Sequence, residues 1–255
     1  MKFLLVALNA KYIHSNPGLY SLCAYAGEKY RENIELAEYT INNEPGTILA
    51  DLYKRQPDVV GFSCYIWNYN MICDIVREFH KLMPKVPIWL GGPEVSFDAR
   101  DILERQKEVT GIMIGEGEAT FLQLLKHYLK EEGYEHFDKI PGIVTREGEY
   151  LPRELLNMDT LPFLYSNLET FENRIIYYES SRGCPFRCSY CLSSVDKTVR
   201  VRDFSLVKKE LQFFLDNKMS QVKFVDRTFN CVHEHTMDIW RYILEHDNGI
   251  TNFHF

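Results

Sequence analysis

The sequence of 255 residues lacks the features of a membrane protein or a nucleic-acid-binding protein. No apolar run approaches the about 20 residues that a helix needs to span a bilayer. No basic block stands out, and the formal charge of −7 gives no positive support for binding to a nucleic-acid backbone. The apolar start at residues 1–8 is too short for a signal peptide and precedes no small-residue cleavage site. We therefore predict a buried first strand in a globular protein of one large or two ordinary domains.

A disulfide framework is also absent from the sequence. The cysteine count is seven, an odd number, and four of the cysteines are scattered singly among apolar neighbours. Such spacing is typical of buried free thiols and not of a secreted disulfide scaffold. We therefore expect a cytoplasmic protein without a membrane partner. The four scattered residues are Cys23, Cys64, Cys73 and Cys231.

The other three cysteines lie within eight residues, C-P-F-R-C-S-Y-C, as Cys184, Cys188 and Cys191. Thiolates this close in sequence can converge on one metal centre. Zinc closes a structural site with four ligands, and the nearby sequence offers no second cysteine or histidine pair at ligand spacing. Three thiolates suit an iron–sulfur cluster that keeps one iron free, although ordinary clusters take four cysteines. A zinc knuckle or loose buried thiols are the alternatives.

The first 135 residues alternate between apolar strand-like runs and amphipathic helix-like runs. This alternation predicts an α/β domain with a parallel, doubly wound sheet of five strands, flavodoxin-like or Rossmann-like in architecture. Asn16 and Pro17 are a good cap and first position for the first helix. The predicted strands are 2–8, 34–39, 59–63, 88–90 and 111–114, and the predicted helices are 17–30, 47–55, 70–83 and 119–131.

A second α/β rhythm begins at Arg174, after a connector at residues 136–173 that contains a small predicted hairpin at 140–150. The sequence ends on the opening residues of a strand, so we expect the domain at 174–255 to be the amino-terminal part of a longer one. In this part the predicted strands are 175–180, 222–225 and a start at 252, and the predicted helices are 205–217 and 233–246.

The cysteine stretch resembles the signature of radical S-adenosylmethionine (radical SAM) enzymes, in which the aromatic residue before the last cysteine, here Tyr190, is part of the signature. The resemblance covers residues 174–255 and implies the first part of a partial TIM barrel. It implies that the three cysteines bind a 4Fe–4S cluster and that S-adenosylmethionine chelates the open iron. An electron from a donor such as flavodoxin or ferredoxin would then generate a 5′-deoxyadenosyl radical.

The segment after the second barrel strand departs from the pattern of this family. Family members usually have a Gly-Gly-Glu-like segment there, which meets the methionine amino group. This sequence has Val225-Asp226-Arg227, without the glycines but with an acid at the strand end. The resemblance therefore implies that Asp226 contacts S-adenosylmethionine, and an ordinary loop acid is the alternative.

Three loops of the first domain follow its third, fourth and fifth strands, as Ser63-Cys64-Tyr65, Gly91-Gly92 and Gly115-Glu116-Gly117-Glu118. Glycines let a bulky ligand approach the backbone. Together these loops resemble the cobalamin-binding domains of cobalamin-dependent radical SAM enzymes. The resemblance implies a cobalamin site formed by Ser63, Tyr65, Gly91, Gly92, Gly115, Gly117 and Glu118.

His14 lies in the loop after the first strand, where some cobalamin domains carry Asp-x-His-x-x-Gly. Here Tyr12 replaces the aspartate, and Gly18 comes one residue late. A metal-ligating histidine normally has its second nitrogen held by a partner such as that acid. His14 is therefore predicted as a loop residue near the corrin, with a role as the lower cobalt ligand as the alternative.

The expected function is that of a radical SAM enzyme with cobalamin as second cofactor, for methyl transfer or another radical reaction on an unidentified substrate. One alternative is a tRNA-type methylthiotransferase, which needs a second cluster from three amino-terminal cysteines. Cys23 and Cys73 fall within predicted helices, which disfavours that reading. The other alternative is a non-catalytic module that binds cobalamin or a nucleotide.

Overall fold

Parallel strand pairing dominates both units of the chain, which are Met1–Leu155 and Leu156–Phe255. They are seen in a computed structural model that describes residues 1–194 and 197–255. Within those residues, no helix is both long and apolar enough to cross a bilayer.

The first unit is a six-stranded sheet with helices on both faces. Its strand order is β2-β1-β3-β4-β5-β6, and all neighbours pair in parallel except β5 and β6. The strands are β1 (Phe3–Asn9), β2 (Ile34–Thr40), β3 (Val59–Ser63), β4 (Ile88–Gly91), β5 (Gly111–Met113) and β6 (Ile143–Val144). The helices are α1 (Pro17–Ala26), α2 (Pro45–Arg55), α3 (Tyr69–Leu82), α4 (Ala99–Arg105) and α5 (Glu118–Tyr128).

Strand β1 shows why this sheet is covered on both faces. All seven of its residues are buried, as a near-continuous apolar run in a parallel sheet requires. Alternate side chains enter two separate cores. Leu4 and Val6 pack with Ile72 of α3 in one core, and Phe3 and Leu5 belong to the second core.

The predicted parallel α/β architecture is confirmed, with two differences in its elements. The segment predicted as a hairpin supplies β6, which pairs antiparallel with β5 and so extends the sheet to six strands. The backbone N–H of Gly142 still bonds the carbonyl of Leu151, at 2.8 Å, so the chain does turn back there. Helix α4 was not predicted, because seven residues carry too few turns for a clear period.

The second unit contains a three-stranded parallel sheet and a separate two-stranded ribbon. The sheet order is β11-β10-β7, and the ribbon pairs β8 with β9 antiparallel. Predicted strand and helix ends differ from the observed ones by one or two residues. The elements are β7 (Ile176–Tyr178), β8 (Ser181–Arg182), β9 (Arg200–Val201), α6 (Phe204–Asp216), β10 (Gln221–Phe224), α7 (His233–Glu245) and β11 (Asn252–His254).

The predicted connector at 136–173 does not form a separate segment in the structure. Its first part lies in the first unit, and its second part supplies core residues to the second. Tyr165 is 2% exposed, and its ring contacts Phe171 and Phe214 at centroid distances of 4.8 and 5.5 Å. The Tyr165 hydroxyl accepts a hydrogen bond from the backbone N–H of Tyr177 at 3.1 Å, so it is fixed against β7.

A buried ion pair joins the end of the ribbon to α6. Arg202 follows β9, and its Nη2 lies 2.6 Å from Oε1 of Glu210; both side chains are 8% exposed. The Tyr178 hydroxyl donates to the second oxygen of Glu210 at 2.6 Å, and the backbone N–H of Arg202 donates to the carbonyl of Ser180 at 2.9 Å. Burial and the neighbouring Glu210 charge raise the pKa of Tyr178, so its proton stays in this network.

Removing one partner of this pair should be strongly destabilising. We expect Arg202→Met to lower the free energy of unfolding by about 3–5 kcal/mol, because it leaves the Glu210 charge buried and unpaired. The double variant Arg202→Met, Glu210→Leu should recover part of that loss. The exposed pair of Arg241 and Asp238 is the control, and Arg241→Met should cost less than about 1 kcal/mol. Urea denaturation measures all three, and equal losses for the two single variants would contradict the assignment.

Candidate functional site

The carboxyl edge of the first sheet is built around the side chain of Ser63, at the end of β3. Its hydroxyl accepts a hydrogen bond from Nδ2 of Asn16 at 3.1 Å. Asn68 donates to the carbonyls of Leu8 and Ser63, both at 3.0 Å, and accepts from the backbone N–H of Tyr65 at 2.8 Å. These buried amides fasten the loops after β1 and β3 to each other. Asn16 also caps α1 through the N–H of Leu19, as predicted.

The loop that contains His14 folds back over the end of β1. Asn9 Nδ2 donates to the backbone carbonyl of His14 at 3.0 Å and to Oε1 of Glu38 at 2.9 Å. The same Glu38 oxygen accepts from the backbone N–H of Asn16 at 3.0 Å. The His14 side chain is half-buried in this loop. Its position fits the predicted loop residue at this edge.

The glycines of the predicted site have different local roles. Gly92 has φ +107°, and a Cβ there would lie 2.5 Å from the carbonyl oxygen of Cys64. Gly92 therefore lets the loops after β3 and β4 touch, and the N–H of Cys64 bonds the carbonyl of Gly91 at 2.7 Å. Gly115 has φ +73° and open space beside it, so that glycine leaves room for a ligand.

Gly117 and Glu118 lie at the start of α5 and contact α1. A Cβ on Gly117 would lie 3.0 Å from a methyl group of Leu22. Glu118 is 4% exposed, and its Oε1 accepts a hydrogen bond from the Ser21 hydroxyl at 2.8 Å. In this structure both residues fix α5 to α1.

Large apolar side chains are exposed in the loops of the same sheet edge. Tyr12 and Ile13 follow β1, and Ile66 and Trp67 follow β3; Ile66 is 81% exposed. The rings of Tyr65 and Trp67 are stacked at 4.5 Å with an angle of 10° between their planes. A cluster of exposed apolar side chains is typical of a binding surface, whereas single exposed apolar side chains are common on any protein.

In the second unit, the cysteine loop begins and ends at the β8–β9 ribbon. Gly183 has φ +92°, and a Cβ there would collide with the carbonyl oxygen of Thr198. Only glycine therefore allows Gly183 and Thr198 to meet at the base of the loop, which we call its neck. The register pairs Ser181 with Val201 and Arg182 with Arg200. The neck therefore fixes both ends of the loop at the carboxyl edge that follows β7.

The three thiols of this loop differ in exposure. Cys184 is buried, and its Sγ lies 3.1 Å from the Thr228 hydroxyl, while Cys188 is exposed and Cys191 is half-buried. The backbone N–H of Cys191 donates a hydrogen bond to the carbonyl of Cys188 at 3.1 Å.

No group of three or more His, Cys, Asp or Glu side chains has a metal-holding arrangement within residues 1–194 and 197–255. The donor set fits a three-thiolate cluster by its chemistry, with Cys184 as the buried thiol of the three. The predicted signature residue Tyr190 is 91% exposed.

Asp226, the predicted S-adenosylmethionine contact, binds the entrance of the cysteine loop in this structure. Its Oδ1 accepts from the hydroxyls of Ser180, at 2.8 Å, and of Ser181, and its Oδ2 accepts from the backbone N–H of Ser180 at 3.2 Å. Burial raises the pKa of Asp226 above the ordinary carboxyl range, and the serine hydrogen bonds oppose that rise only in part. The carboxylate therefore joins the end of β10 to the residues that lead into the thiols.

Sequence reasoning missed Thr228, Asn68, Ser180 and Ser181 at these two edges. The serines had a usable signal, because Ser180 ends a predicted strand, Ser181 follows it, and both precede the first cysteine. Thr228 and Asn68 had none, since their roles depend on which loops meet in space.

The amino-terminal part of the chain matches a known domain family. Residues 4–125 match the family model described as a B12 binding domain. The chain is 27% identical over 192 residues to the 2-(S-pantetheinyl)-carbapenam-3-carboxylate methyltransferase of Streptantibioticus cattleyicolor. It is 26% identical over 193 residues to the cobalamin-dependent radical SAM methyltransferase TokK of Streptomyces tokunonensis. Each alignment covers 68% of this chain and 28% of the relative, so the chain spans under a third of their length.

Two further matches bear on the fold and on one alternative function. The cobalamin-dependent S-adenosylmethionine radical enzyme OxsB, solved with aqua-cobalamin and S-adenosylmethionine bound, superposes with a TM-score of 0.79 at 21% identity. That match covers 99% of this chain and 38% of OxsB. A putative methylthiotransferase of Methanocaldococcus jannaschii, MJ0865, is 26% identical over 172 residues, which covers 62% of this chain and 35% of that protein.

The raised pKa of Asp226 sets the direction of a pH effect on stability. The folded protein keeps this proton to a higher pH than the unfolded chain, whose carboxyl has a pKa of about 4. The stability that depends on the protonated form is therefore complete below that pH and is lost as pH rises through the folded pKa. We expect Asp226→Asn to gain stability relative to the wild type from pH 4 towards pH 7, in denaturation of the metal-free protein. A relative loss over that range would contradict the assignment.

Proposed function

We propose that this chain is a cobalamin-dependent radical SAM methyltransferase that uses a 4Fe–4S cluster, S-adenosylmethionine and cobalamin. The B12-binding domain and the similarity to TokK support this proposal. One observation carries the proposal: a loop of three cysteines follows the first parallel strand of a second α/β unit, directly after a B12-binding domain. When bound, the cluster would supply an electron to S-adenosylmethionine, and cobalamin would supply a methyl-transfer centre. An electron carrier of the flavodoxin or ferredoxin type is the expected donor.

The residues of the second unit would bind and orient the cluster and its ligand. Cys184, Cys188 and Cys191 are the proposed cluster ligands, and the buried Cys184 fixes the position of the loop. The side chains of Ser180 and Ser181 hold Asp226 beside the loop entrance. With three hydrogen bonds already accepted, that carboxylate keeps lone-pair capacity for about one more donor, such as the amino group of S-adenosylmethionine. Tyr190 is exposed and free of core packing, which suits a contact with the same ligand.

The first unit would bind cobalamin at the carboxyl edge of its sheet. Parallel sheets place ligands at that edge, and the exposed Ile66 and Trp67 offer apolar area that a corrin ring would cover. The open space beside Gly115 accommodates ligand atoms close to the backbone. We assign His14 to the loop beside the corrin, because Tyr12 stands where a histidine-supporting acid would be.

The methylthiotransferase alternative is disfavoured by the positions of its required thiols. Cys23 packs with one core of the first unit and Cys64 lies in the other, so the sheet separates them. Burial raises the pKa of Cys23 to about 12 and raises the pKa of Cys64 and Cys73 as well. Metal ligands need thiolates, and these thiols resist deprotonation.

The cluster assignment predicts a specific loss of iron. After anaerobic reconstitution of the whole chain, we expect the triple variant Cys184→Ala, Cys188→Ala, Cys191→Ala to lose both iron and the broad visible absorption of the cluster. Cys73→Ala is the control and should keep both, because Cys73 lies on α3 of the first unit. Iron analysis and absorption spectroscopy give the result. Equal iron in the triple variant and the wild type would sink the cysteine assignment.

The cobalamin assignment predicts a local effect of the exposed tryptophan. Trp67→Ala should weaken binding of hydroxocobalamin about 5–20-fold, because the corrin would lose part of the apolar area it covers. Leu82→Ala is the matched control, since Leu82 is similarly exposed but ends α3 at the opposite edge of the sheet. Equilibrium dialysis of the whole chain measures both affinities. Unchanged binding in Trp67→Ala, or an equal loss of affinity in Leu82→Ala, would contradict the proposed cobalamin site at the carboxyl edge of the sheet.

A further inference from the structure

The contact between Thr228 and Cys184 has a consequence beyond the binding of a cluster. The Thr228 Oγ1 lies 3.1 Å from the Cys184 Sγ, which is within hydrogen-bond distance for sulfur. Cys184 is 8% exposed and is the buried member of the three proposed ligands. Because low local dielectric strengthens a hydrogen bond, this hydroxyl acts on the sulfur more strongly than solvent water would.

The direction of this hydrogen bond is fixed once the thiol binds metal. In the free protein either atom can be the donor. A thiolate ligand has no proton to donate, so the Thr228 O–H becomes the donor and the Cys184 sulfur the acceptor. Residues 1–194 and 197–255 provide no second hydrogen bond to the Thr228 hydroxyl, so no other acceptor there competes for its proton.

We propose that Thr228 sets the reduction potential of the cluster bound by Cys184, Cys188 and Cys191, by donating a hydrogen bond to the Cys184 sulfur. In the reduction step the oxidised cluster takes up one electron from the electron carrier, and no bond or proton changes place. The added negative charge is shared by the sulfur ligands, so the hydrogen bond stabilises the reduced form more than the oxidised form. Thr228 thereby raises the potential and eases reduction.

Hydrogen bonds around the end of β10 hold Thr228 close to the cysteine loop. Thr228 follows β10, two residues after Asp226, whose carboxylate is fixed by the hydroxyls of Ser180 and Ser181. The carbonyl of Thr228 accepts a hydrogen bond from the N–H of Cys231 at 3.2 Å. The hydroxyl is therefore held near the neck of the cysteine loop by contacts that do not involve the metal.

The test is a reductive titration of the reconstituted whole chain without S-adenosylmethionine. Thr228→Val keeps the shape of the side chain and removes the donor, and Thr228→Ser keeps the donor. At the wild-type midpoint potential, we expect the ratio of reduced to oxidised cluster in Thr228→Val to fall about tenfold, equivalent to about 59 mV for one electron. Thr228→Ser should stay within about twofold of the wild type. The electron paramagnetic resonance signal of the reduced cluster reports the ratio.

Thr236→Val is the matched control in the same unit. Thr236 is buried, but its hydroxyl donates to the carbonyls of Phe229 and Val232, at 2.8 and 3.1 Å, and not to a thiol. Its removal should leave the potential unchanged. If Thr228→Val takes up no iron, Thr228→Ala replaces it, since its smaller side chain cannot crowd the thiol.

The outcomes separate this inference from the proposed function on which it rests. A wild-type chain that takes up no iron contradicts the proposed function itself. An intact cluster with the same potential in Thr228→Val, or an equal shift in Thr236→Val, overturns the role of Thr228 alone.

Discussion

Parallel pairing of strands is the constraint on which both candidate sites depend. Strands that pair in parallel end at one edge of their sheet, so loops far apart in sequence meet there. In the first unit this edge brings Ser63, after β3, beside Asn16 from the loop after β1. In the second unit it brings Asp226, after β10, to Ser180, after β7. Each site is therefore a property of its sheet and not of one motif.

Two glycines with positive φ complete these edges by allowing backbone contacts that a side chain would block. Gly92 lets the loop after β4 lie on Cys64, and Gly183 lets the cysteine loop close at Thr198. The resemblance to cobalamin domains assigns Gly92 to the cobalamin site, but in the structure Gly92 contacts the protein backbone. Its role is therefore to shape the edge that a corrin would cover, while the space beside Gly115 stays open to ligand atoms.

The sequence predicted the features that depend on local pattern. Apolar runs such as β1 and the amphipathic α3 were found within one or two residues. The spacing of Cys184, Cys188 and Cys191 indicated a metal centre, which stays a prediction. Features that depend on contacts distant in sequence could not be found this way. Tyr165 looked like part of an irregular connector, yet it is a core residue that holds β7. The pairing of Arg202 with Glu210 has no local sign in the sequence, because only the fold brings the two together and buries them.

The central claim is that one chain binds two metal cofactors on separate units. The most direct measurement is elemental analysis of the chain after anaerobic reconstitution with iron, sulfide and hydroxocobalamin, followed by removal of unbound metal. The account predicts about four irons and about four sulfides per chain, together with one cobalt. Zinc retained in place of iron, or cobalt that is lost with the unbound metal, would contradict it.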